Sequence, residues 1–297
     1  MRNGFNMRRR VQFATVSCIV IALGGCQLFT HDQQPIGKSP LRPAQSSPDS
    51  VTMEIIWARF PADDPQLNSD AWQDIDETQI PPAVRRELAN NGFRAGVIGG
   101  TLPDEIARAL NSGKSSADTP NTPGESQNVD LTVDPIVHGR LQQLRRNQRS
   151  EVQASEVYPS LSLLVNNARE LSGRTYSQAQ AIYALRVDPQ PDRTAIVELT
   201  PELHYGPLQW RWTRGEDDSG ILRQAQVRDH DVFNQLRMSV RLAPGEMLVL
   251  MGLPDAGSRL GQYFHTTNSP EGPQQKLILI RLSGVPPSNT FADLRAE

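Results

Sequence analysis

Residues 242–253 read LAPGEMLVLMGL, and this stretch decides how the C-terminal part of the chain is built. Pro244 and Gly245 suit a tight turn, because proline presets φ and glycine tolerates positive φ. The run MLVLM that follows Glu246 has no polar face, which is typical of a strand covered on both sides. We therefore predict a central strand whose side chains alternate between two buried faces, with Leu248 and Leu250 on one and Met247, Val249 and Met251 on the other.

The surrounding residues, 130–282, are rich in further strand patterns. Short apolar or alternating runs are separated by proline, glycine or charged turns, and they are YALRV, TAIVEL, LQWRWT, LRMSVRL, MLVLM and KLILIRL. Alternation of this kind is typical of a sheet with one buried and one solvent-facing side. Helical segments do not recur between the runs as a parallel fold requires, so we predict a β-rich, mainly antiparallel domain over 130–282, then a tail over 283–297.

The preceding block, residues 51–112, mixes strand and helix periodicity. VTMEIIWARF alternates like a strand, whereas QIPPAVRRELANNGF repeats apolar residues every four positions and stops at an Asn-Gly pair. FRAGVIG and LPDEIARALNSG predict a second strand and a second helix. Residues 113–129 have few apolar side chains and predict a disordered linker. The predicted fold class is therefore α+β, a small α/β domain joined to a β-rich domain.

The N-terminus has the features of an export signal. Arginines at 8–10 precede an uncharged, mostly apolar run over 11–23, which is too short to cross a bilayer comfortably. The LGGC motif that ends at Cys26 resembles the lipobox of bacterial lipoproteins, in which the cysteine is lipidated before cleavage. The resemblance implies a signal peptide over 1–25 and a lipid on Cys26; an ordinary secretory signal or an N-terminal membrane anchor is the alternative.

The residues after Cys26 indicate where such a lipoprotein would reside. Residues 26–50 are rich in proline, serine and glutamine and predict a flexible tether. Gln27 is not the aspartate that retains many lipoproteins in the inner membrane. We therefore expect an exported chain anchored by its lipid at the periplasmic side of the outer membrane, or otherwise located in the cell envelope.

Composition narrows the chemistry of the mature chain. Cys18, the second cysteine of the sequence, lies in the signal peptide, so the mature chain would have no disulfide and no catalytic thiol. The chain has 30 basic and 33 acidic residues, and four of the arginines precede residue 26, so the mature charge is 26 − 33 = −7. An acidic chain without a basic stripe excludes nucleic acid as a partner on electrostatic grounds.

Four segments between 194 and 282 resemble, in order, the homology region of secretins, the ring-forming outer-membrane channels of bacterial secretion and pilus systems. They are TAIVELTPELHYG, MSVRLAPGEMLVLMGLPD, LGQYF and QQKLILIRL. The positions that carry the motif are Gly245 and Glu246 in a hairpin turn, Gly252 and Leu253 after the second strand, and Gly261 and Phe264 in a later turn. The resemblance implies a β scaffold and ring contacts between copies.

The chain also departs from the secretin pattern. Met251 stands where the family has the first of two glycines, and PDAGSR replaces a proline-rich segment. Repeated ring-building domains do not precede the region. The sequence therefore resembles a degenerate, non-channel relative, or an accessory of such channels.

Candidate catalytic and metal-binding residues are few. Five histidines lack the spacing of metal ligands; they are His31, His138, His204, His230 and His265. We expect a turn or cross-strand position for His204 and a solvated loop around His230. Asp74, Asp76 and Glu77 follow Trp72, and an exposed acidic turn or helix start is expected there, with acid–base chemistry or calcium binding as the alternative. We expect no cofactor, no metal and no enzymatic activity.

Two of the four tryptophans, Trp210 and Trp212, share one face of one predicted strand. Burial in the core is the expectation, and a glycan- or peptide-binding surface is the alternative. Together these patterns predict an envelope protein with a structural or assembly role. Its expected partners are the membrane through its lipid, other envelope proteins and further copies in a homo-oligomer. A glycan- or peptide-binding module is the second interpretation, and a hydrolase that uses the acidic cluster is the third.

Overall fold

The computed structural model describes residues 49–115, 137–167, 170–214, 222–254, 256–270 and 272–285. The predicted signal peptide, Cys18, Cys26, His31 and most of the predicted tether and linker lie outside these residues. The strands are β1 (Ser50–Pro61), β2 (Phe93–Ile98), β3 (Val137–Arg145), β4 (Ser150–Asn167), β5 (Glu170–Pro189), β6 (Ala195–Arg214), β7 (Leu222–Val232), β8 (Met238–Leu242), β9 (Met247–Gly252), β10 (Thr266–Ser269) and β11 (Gly272–Gly284). The helices are α1 (Pro65–Asn68), α2 (Pro82–Asn90), α3 (Asp104–Ser115) and α4 (Leu260–His265), with 3-10 turns at Asp70–Gln73, Glu77–Gln79 and Asn234–Leu236.

Sheet A contains six of the described strands, in the order β2-β9-β11-β1-β3, with β10 also paired to β11. Every pair in it is antiparallel. β1 lies inside the sheet, where Trp57 pairs with Ile278 of β11 on one side and with His138 of β3 on the other. β2 and β3 are the edge strands.

Sheet B contains five of the described strands, in the order β4-β5-β6-β7, with β8 paired to β6. β5 and β6 have 20 residues each, several times the usual strand length of about 5–6 residues. They pair with each other only from Gln180↔His204 to Pro189↔Ala195. Both strands therefore continue well past the part of sheet B that they share.

Sheet A lies between sheet B and a layer of short helices. The face of β1 that carries Met53 and Ile55 joins a buried cluster with side chains of sheet B such as Leu185 and Leu199. The opposite face of sheet A packs in a second buried cluster, where Val249 and Leu279 lie with helical and turn residues such as Trp72 and Ile106. The chain is mostly antiparallel β-sheet, which confirms the β-rich part of the predicted fold class.

The local patterns account for most element positions. Ile80 and Leu88 are buried and Val84 is half-buried beside them, as the four-residue repeat predicts, and the helix α2 ends before Gly92 at φ 84°. β9 is buried along its whole length. Its residues Leu248 and Leu250 belong to one apolar cluster, while Met247, Val249 and Met251 belong to the other, which confirms the predicted alternation.

The division into two separate domains needs correction. β1 and β2, from the predicted α/β block 51–112, pair with β11 and β9 of the predicted block 130–282. The inner strands β1, β9 and β11 of sheet A are rich in apolar residues and have neighbours on both sides, and these neighbours come from distant parts of the sequence. The described residues of both blocks therefore form one sheet rather than two domains, and α3 continues into the predicted linker as far as Ser115.

The strand that precedes the PGE turn also lies elsewhere than expected. β8 pairs with β6 in sheet B, whereas β9 pairs with β2 and β11 in sheet A. Residues 243–246 therefore carry the chain from one sheet to the other, and the two strands do not form a hairpin. The physical reason is burial, because an entirely apolar β9 is more stable in the middle layer than at the solvent-facing side of sheet B.

Candidate functional site

Sheet B divides into two hairpins where β5 and β6 separate. Beyond Gln180 and His204, β5 pairs only with β4 and β6 pairs only with β7 among the described strands. Two residues with positive φ lie at this point, Gln178 at 50° and Gly206 at 74°. We call residues 157–167 with 170–180 the covered arm, and residues 205–214 with 222–229 the open arm.

The covered arm packs against the rest of the protein. Its side chains Leu161 and Leu163 are buried in the core shared by the two sheets. The Tyr263 hydroxyl donates to the Ser162 carbonyl at 2.6 Å. Asn91 binds the backbone of Asn166 twice, accepting from its N–H and donating to its carbonyl, both at 2.9 Å. These contacts hold the covered arm on α4 and on the end of α2.

The open arm has no such cover. Leu208, Trp210 and Trp212 are 57%, 64% and 69% exposed and lie on one face of β6. Across the hairpin, Trp210 pairs with Gln226, and Leu222 at 59% exposure extends the same face. The expectation that both tryptophans are core residues is therefore wrong, because β6 runs past the layer that would cover them.

A polar cluster ties the two arms together at their base. The Tyr176 hydroxyl of β5 donates to Asp231 of β7 at 2.7 Å, and Arg174 lies 3.1 Å from the same carboxylate. The Arg174 guanidinium lies over the rings of Tyr176 and Tyr205, at 4.7 and 5.1 Å from their centroids. Burial, with the hydrogen bond to Asp231, raises the pKa of Tyr176 far above its ordinary value, so its hydroxyl remains a donor.

This cluster also corrects the expected loop at 228–233. Those residues belong mostly to β7, and their aspartates are paired rather than simply solvated. Asp231 binds the cluster above, and Asp229 lies 2.7 Å from Arg211 of β6. The charged residues made this segment resemble a solvated loop in the sequence. Their partners lie in neighbouring strands and cannot be recognised from the local pattern.

A second polar group joins β6 and β7 to Arg149, the residue before β4. Glu202 is only 5% exposed and lies 2.6 Å from Arg149 and 2.9 Å from the His204 Nε2. Desolvation opposes ionisation of this carboxyl, but the hydrogen bond from His204 and the charge of Arg149 lower its pKa overall. His230 lies opposite His204, with 5.2 Å between ring centroids, which confirms the cross-strand position of His204. The arrangement is a structural ion pair at the inner end of the open arm.

The acidic segment after Trp72 has structural contacts. Asp76 caps a 3-10 turn by accepting from the Thr78 N–H at 2.8 Å, and the hydrogen bonds from Thr78 lower the pKa of its carboxyl. Glu77 lies 2.6 Å from Arg94, whose guanidinium stacks over Trp72 at 4.2 Å. The expected acidic turn is confirmed. In the described part of the chain, no group of three or more His, Cys, Asp or Glu side chains is placed to hold a metal ion.

Sequence reasoning missed the role of His265. Its imidazole is fully buried, with Nε2 at 2.7 Å from the Tyr183 hydroxyl and Nδ1 at 2.8 Å from the Lys276 carbonyl. Because the carbonyl can only accept, Nδ1 carries the proton and Nε2 accepts from Tyr183. Burial lowers the pKa of His265 to about 3. The signal in the sequence is weak, namely a histidine that directly follows the apolar run of LGQYF.

The secretin-like motif positions form a backbone crossing beside this histidine. Gly261 donates its N–H to the Asn91 carbonyl at 2.9 Å, and Leu253 donates to the Gly92 carbonyl at 2.8 Å. A Cβ on Gly261 would lie 2.0 Å from the Gly92 carbonyl oxygen, and one on Gly252 would lie 3.0 Å from the His265 Cβ. These glycines therefore let three segments of chain approach closely.

The other motif residues support the sheet-switching turn and the core. Gly245 has φ 95° and donates its N–H to the Leu282 carbonyl at 2.8 Å, while the Glu246 carboxylate accepts from the Ala243 N–H at 2.7 Å. Phe264 is fully buried, with its ring 4.8 Å from that of Tyr183. The motif residues thus build the scaffold and lie apart from the open arm.

Comparison with known proteins gives no relative from which a role could be transferred. No family model matches the chain, and neither curated proteins nor solved structures yield a significant match. Among the described helices, none is both long enough and apolar enough to cross a membrane.

Proposed function

We propose that this protein is an exported, lipid-anchored component of the bacterial cell envelope with a structural or assembly role. In this proposal the lipid on Cys26 holds it at the periplasmic side of the outer membrane. The open arm contacts further copies of the chain and other envelope proteins. The chain is then a degenerate relative, or an accessory, of the secretin channels used in protein secretion.

The exposed apolar face of the open arm is the observation that carries the proposal. Trp210 and Trp212, both about two-thirds exposed, lie beside Leu208 and Leu222 on a two-stranded hairpin. An isolated two-stranded hairpin is marginally stable in water, and exposed apolar patches of this kind mark interaction surfaces. Tryptophan is also enriched where proteins bind each other. A partner that covers this face would stabilise the arm.

The order of strands in sheet B supports a second copy as that partner. β7 ends the path of sheet B, and no described strand pairs with its outer edge. Docking of the open arm, with its β7 edge, on a different surface of the next copy is a head-to-tail contact, and repetition of such a contact gives a closed ring or an open filament. The secretin-like motifs agree with this arrangement, since the resemblance implies ring contacts.

Sedimentation velocity of the full-length lipoprotein in mild detergent tests the assembly role. We expect species larger than one copy for the wild type. The Trp210→Ser/Trp212→Ser variant should sediment as a monomer with unchanged circular dichroism. The control is Gln209→Ser/Val227→Ser, a cross-strand pair on the opposite face, which should assemble like the wild type. A wild type that is monomeric in detergent and after cross-linking in cells contradicts the proposal.

Acyl labelling tests the proposed lipid anchor and localisation separately from the assembly role. Cys26→Ser should abolish incorporation of labelled palmitate and leave precursor or soluble protein, because the lipid is attached at this sulfur. Unlabelled wild-type protein with a different mature N-terminus would show that the chain is exported by another route or is not exported.

A further inference from the structure

The structure contains a cleft of about 970 Å³ between the two sheets, and none of the residues that line it belongs to the open arm. Its walls are β1 and β3 of sheet A on one side and the first half of β4 on the other. β3 and β4 leave the same short turn, and the Gln142 amide donates to the Ser150 hydroxyl at 2.6 Å where they begin to diverge. The cleft is therefore V-shaped, and each wall ends in the edge strand of its sheet.

A bulge in β4 gives the cleft a fixed shape. Ala154, Ser155 and Glu156 stand opposite the single residue Ala181 of β5, between the pairs Gln153↔Ile182 and Val157↔Gln180. Bulges bend a strand, interrupt its ladder and are common beside binding sites. All three residues of this bulge line the cleft.

Side chains from neighbouring strands bind the carbonyls of this bulge. Trp57 Nε1 donates to the Gln153 carbonyl at 2.8 Å, the Lys276 ammonium donates to the Ala154 carbonyl, and the Gln180 amide donates to the Ser155 carbonyl at 3.2 Å. Trp57 is itself stacked on His138, with ring centroids 4.7 Å apart and planes within 7°. Trp57 and Lys276 thus hold this part of β4 to sheet A, and the cleft is preformed, as ligand sites usually are.

The two walls differ in their capacity to bind a further strand. β3 pairs with β1 in unbroken register from Ser50↔Arg145 to Ala58↔Val137. No described strand pairs with its other edge. A regular edge strand of nine residues is a template for another strand. The edge of β4, in contrast, is interrupted by the bulge.

The charges around the free edge of β3 indicate which side chains an added strand should have. Arg140 of β3 is exposed and lines the cleft, and His138 lies two residues away on the same face. Glu151 and Glu156 line the opposite wall. The Gln142 Oε1 is buried and accepts no hydrogen bond from the described residues. The β3 wall therefore favours a carboxylate together with a hydrogen-bond donor.

We propose that this cleft binds an extended peptide of a partner protein, which adds as a strand to the free edge of β3 with an acidic side chain against Arg140. Main-chain hydrogen bonds supply most of the affinity, and the charged pair gives register and selectivity. The site is separate from the open arm, so peptide binding and assembly can fail independently.

The test pans a displayed library of random decapeptides on the full-length protein, then measures the enriched peptide by fluorescence anisotropy. We expect enrichment of Asp or Glu at one position. Arg140→Glu should weaken binding at least tenfold, and so should N-methylation of alternate peptide bonds, which removes the main-chain donors. Arg145→Glu is the matched control, because it makes the same change on the same strand at a position of opposite parity, and affinity should stay within twofold.

Three results would overturn the proposal. The first is that no peptide is enriched over an unrelated protein. The second is that the enriched peptide binds Arg140→Glu as well as the wild type, or binds unchanged after N-methylation. The third is that peptidoglycan fragments bind in an Arg140-dependent manner while no peptide does, which would assign the cleft to a glycan. Trp210→Ser/Trp212→Ser should leave peptide affinity unchanged, whatever it does to assembly.

Discussion

β9 and the outward part of β6 are similar in sequence character and opposite in environment. MLVLMG of β9 and PLQWRW of the open arm are both short runs rich in large apolar side chains. β9 lies between β2 and β11 with apolar clusters on both faces, whereas the open arm leaves Trp210 and Trp212 mostly exposed. Apolar residues therefore indicate that a strand has a face that burial would stabilise. Whether that face is buried depends on elements from other parts of the chain.

The largest change in the free energy of unfolding should come from a substitution at the backbone crossing next to β9. In Gly261→Ala the new Cβ would lie 2.0 Å from the Gly92 oxygen and 2.3 Å from its carbonyl carbon. The backbone segments on both sides cannot move apart without breaking the hydrogen bonds of Asn91 and Leu253. We therefore expect the free energy of unfolding to fall by more than about 4 kcal/mol, or the variant to fail to fold. Urea unfolding measures it. Gly99→Ala, with no atom within 4 Å of its Cβ, is the control, and equal stability of both variants would contradict this packing.

The next largest effect on stability should appear when a buried leucine of β9 is compared with an exposed leucine of the open arm. Leu250 is 1% exposed and lies across from Ile278, whereas Leu208 of the open arm is 57% exposed. Leu250→Ala should cost about 2–5 kcal/mol of unfolding free energy, the range for buried aliphatic truncations. Leu208→Ala should change it by less than about 0.5 kcal/mol. Similar losses in the two variants, by urea or thermal unfolding, would mean that the arm is packed in solution.

This contrast also shows what could be predicted from sequence. The alternation of Val51 to Trp57 and the four-residue spacing of Ile80, Val84 and Leu88 are local signals, and they predicted a strand and a helix correctly. Sheet membership is non-local, because β1 and β11 are separated by more than 200 residues along the chain. Hence neither the single sheet A nor the sheet switch at 243–246 followed from local pattern.

The candidate sites were harder to predict for the same reason. The alternating pattern correctly placed Trp210 and Trp212 on one face of a strand. Their exposure did not follow from the pattern, because it depends on where the covering layer ends. The peptide cleft depends on a bulge at Ala154 to Glu156, where Trp57 and Lys276 from other strands bind the carbonyls of Gln153 and Ala154. No local motif encodes that convergence. Buried His265 likewise became apparent only once Tyr183 and Lys276 were adjacent.

A smaller effect concerns pH and the packed core below β9. The folded-state pKa of His265 is lowered to about 3, against about 6.5 for an unfolded chain. Between these values the unfolded chain binds the extra proton, so stability is full above pH 6.5 and falls as the pH drops, by about 1 kcal/mol per unit. Urea unfolding at pH 7, 6 and 5 measures the slope. His265→Gln should flatten it, whereas His230→Gln, at an exposed imidazole, should retain it.

An unchanged slope in His265→Gln would show that another group dominates the acid response. Glu202, Asp76 and Asp192, whose pKa values are lowered, also lose stabilising charge on acidification. Their contribution is lost at lower pH, because carboxyl groups are still ionised in the unfolded chain near pH 6. The range between pH 7 and 5 therefore reports mainly on the histidine.

The smallest effect on stability should come from the open arm itself. Trp212 is 69% exposed and no described side chain outside its hairpin covers it, so Trp212→Ser should change the unfolding free energy of the monomer by less than about 0.5 kcal/mol. Trp72→Ser is the matched control, since Trp72 is 5% exposed in the helical layer and its loss should cost about 3–5 kcal/mol. Urea unfolding measures both, and acrylamide quenching should decrease only in the arm variant, because a buried indole is shielded from the quencher. If Trp212→Ser instead costs more than about 1 kcal/mol at concentrations where the protein is a monomer, the arm folds back onto its own chain. In that case its tryptophans contribute to the core and are not available to a second copy.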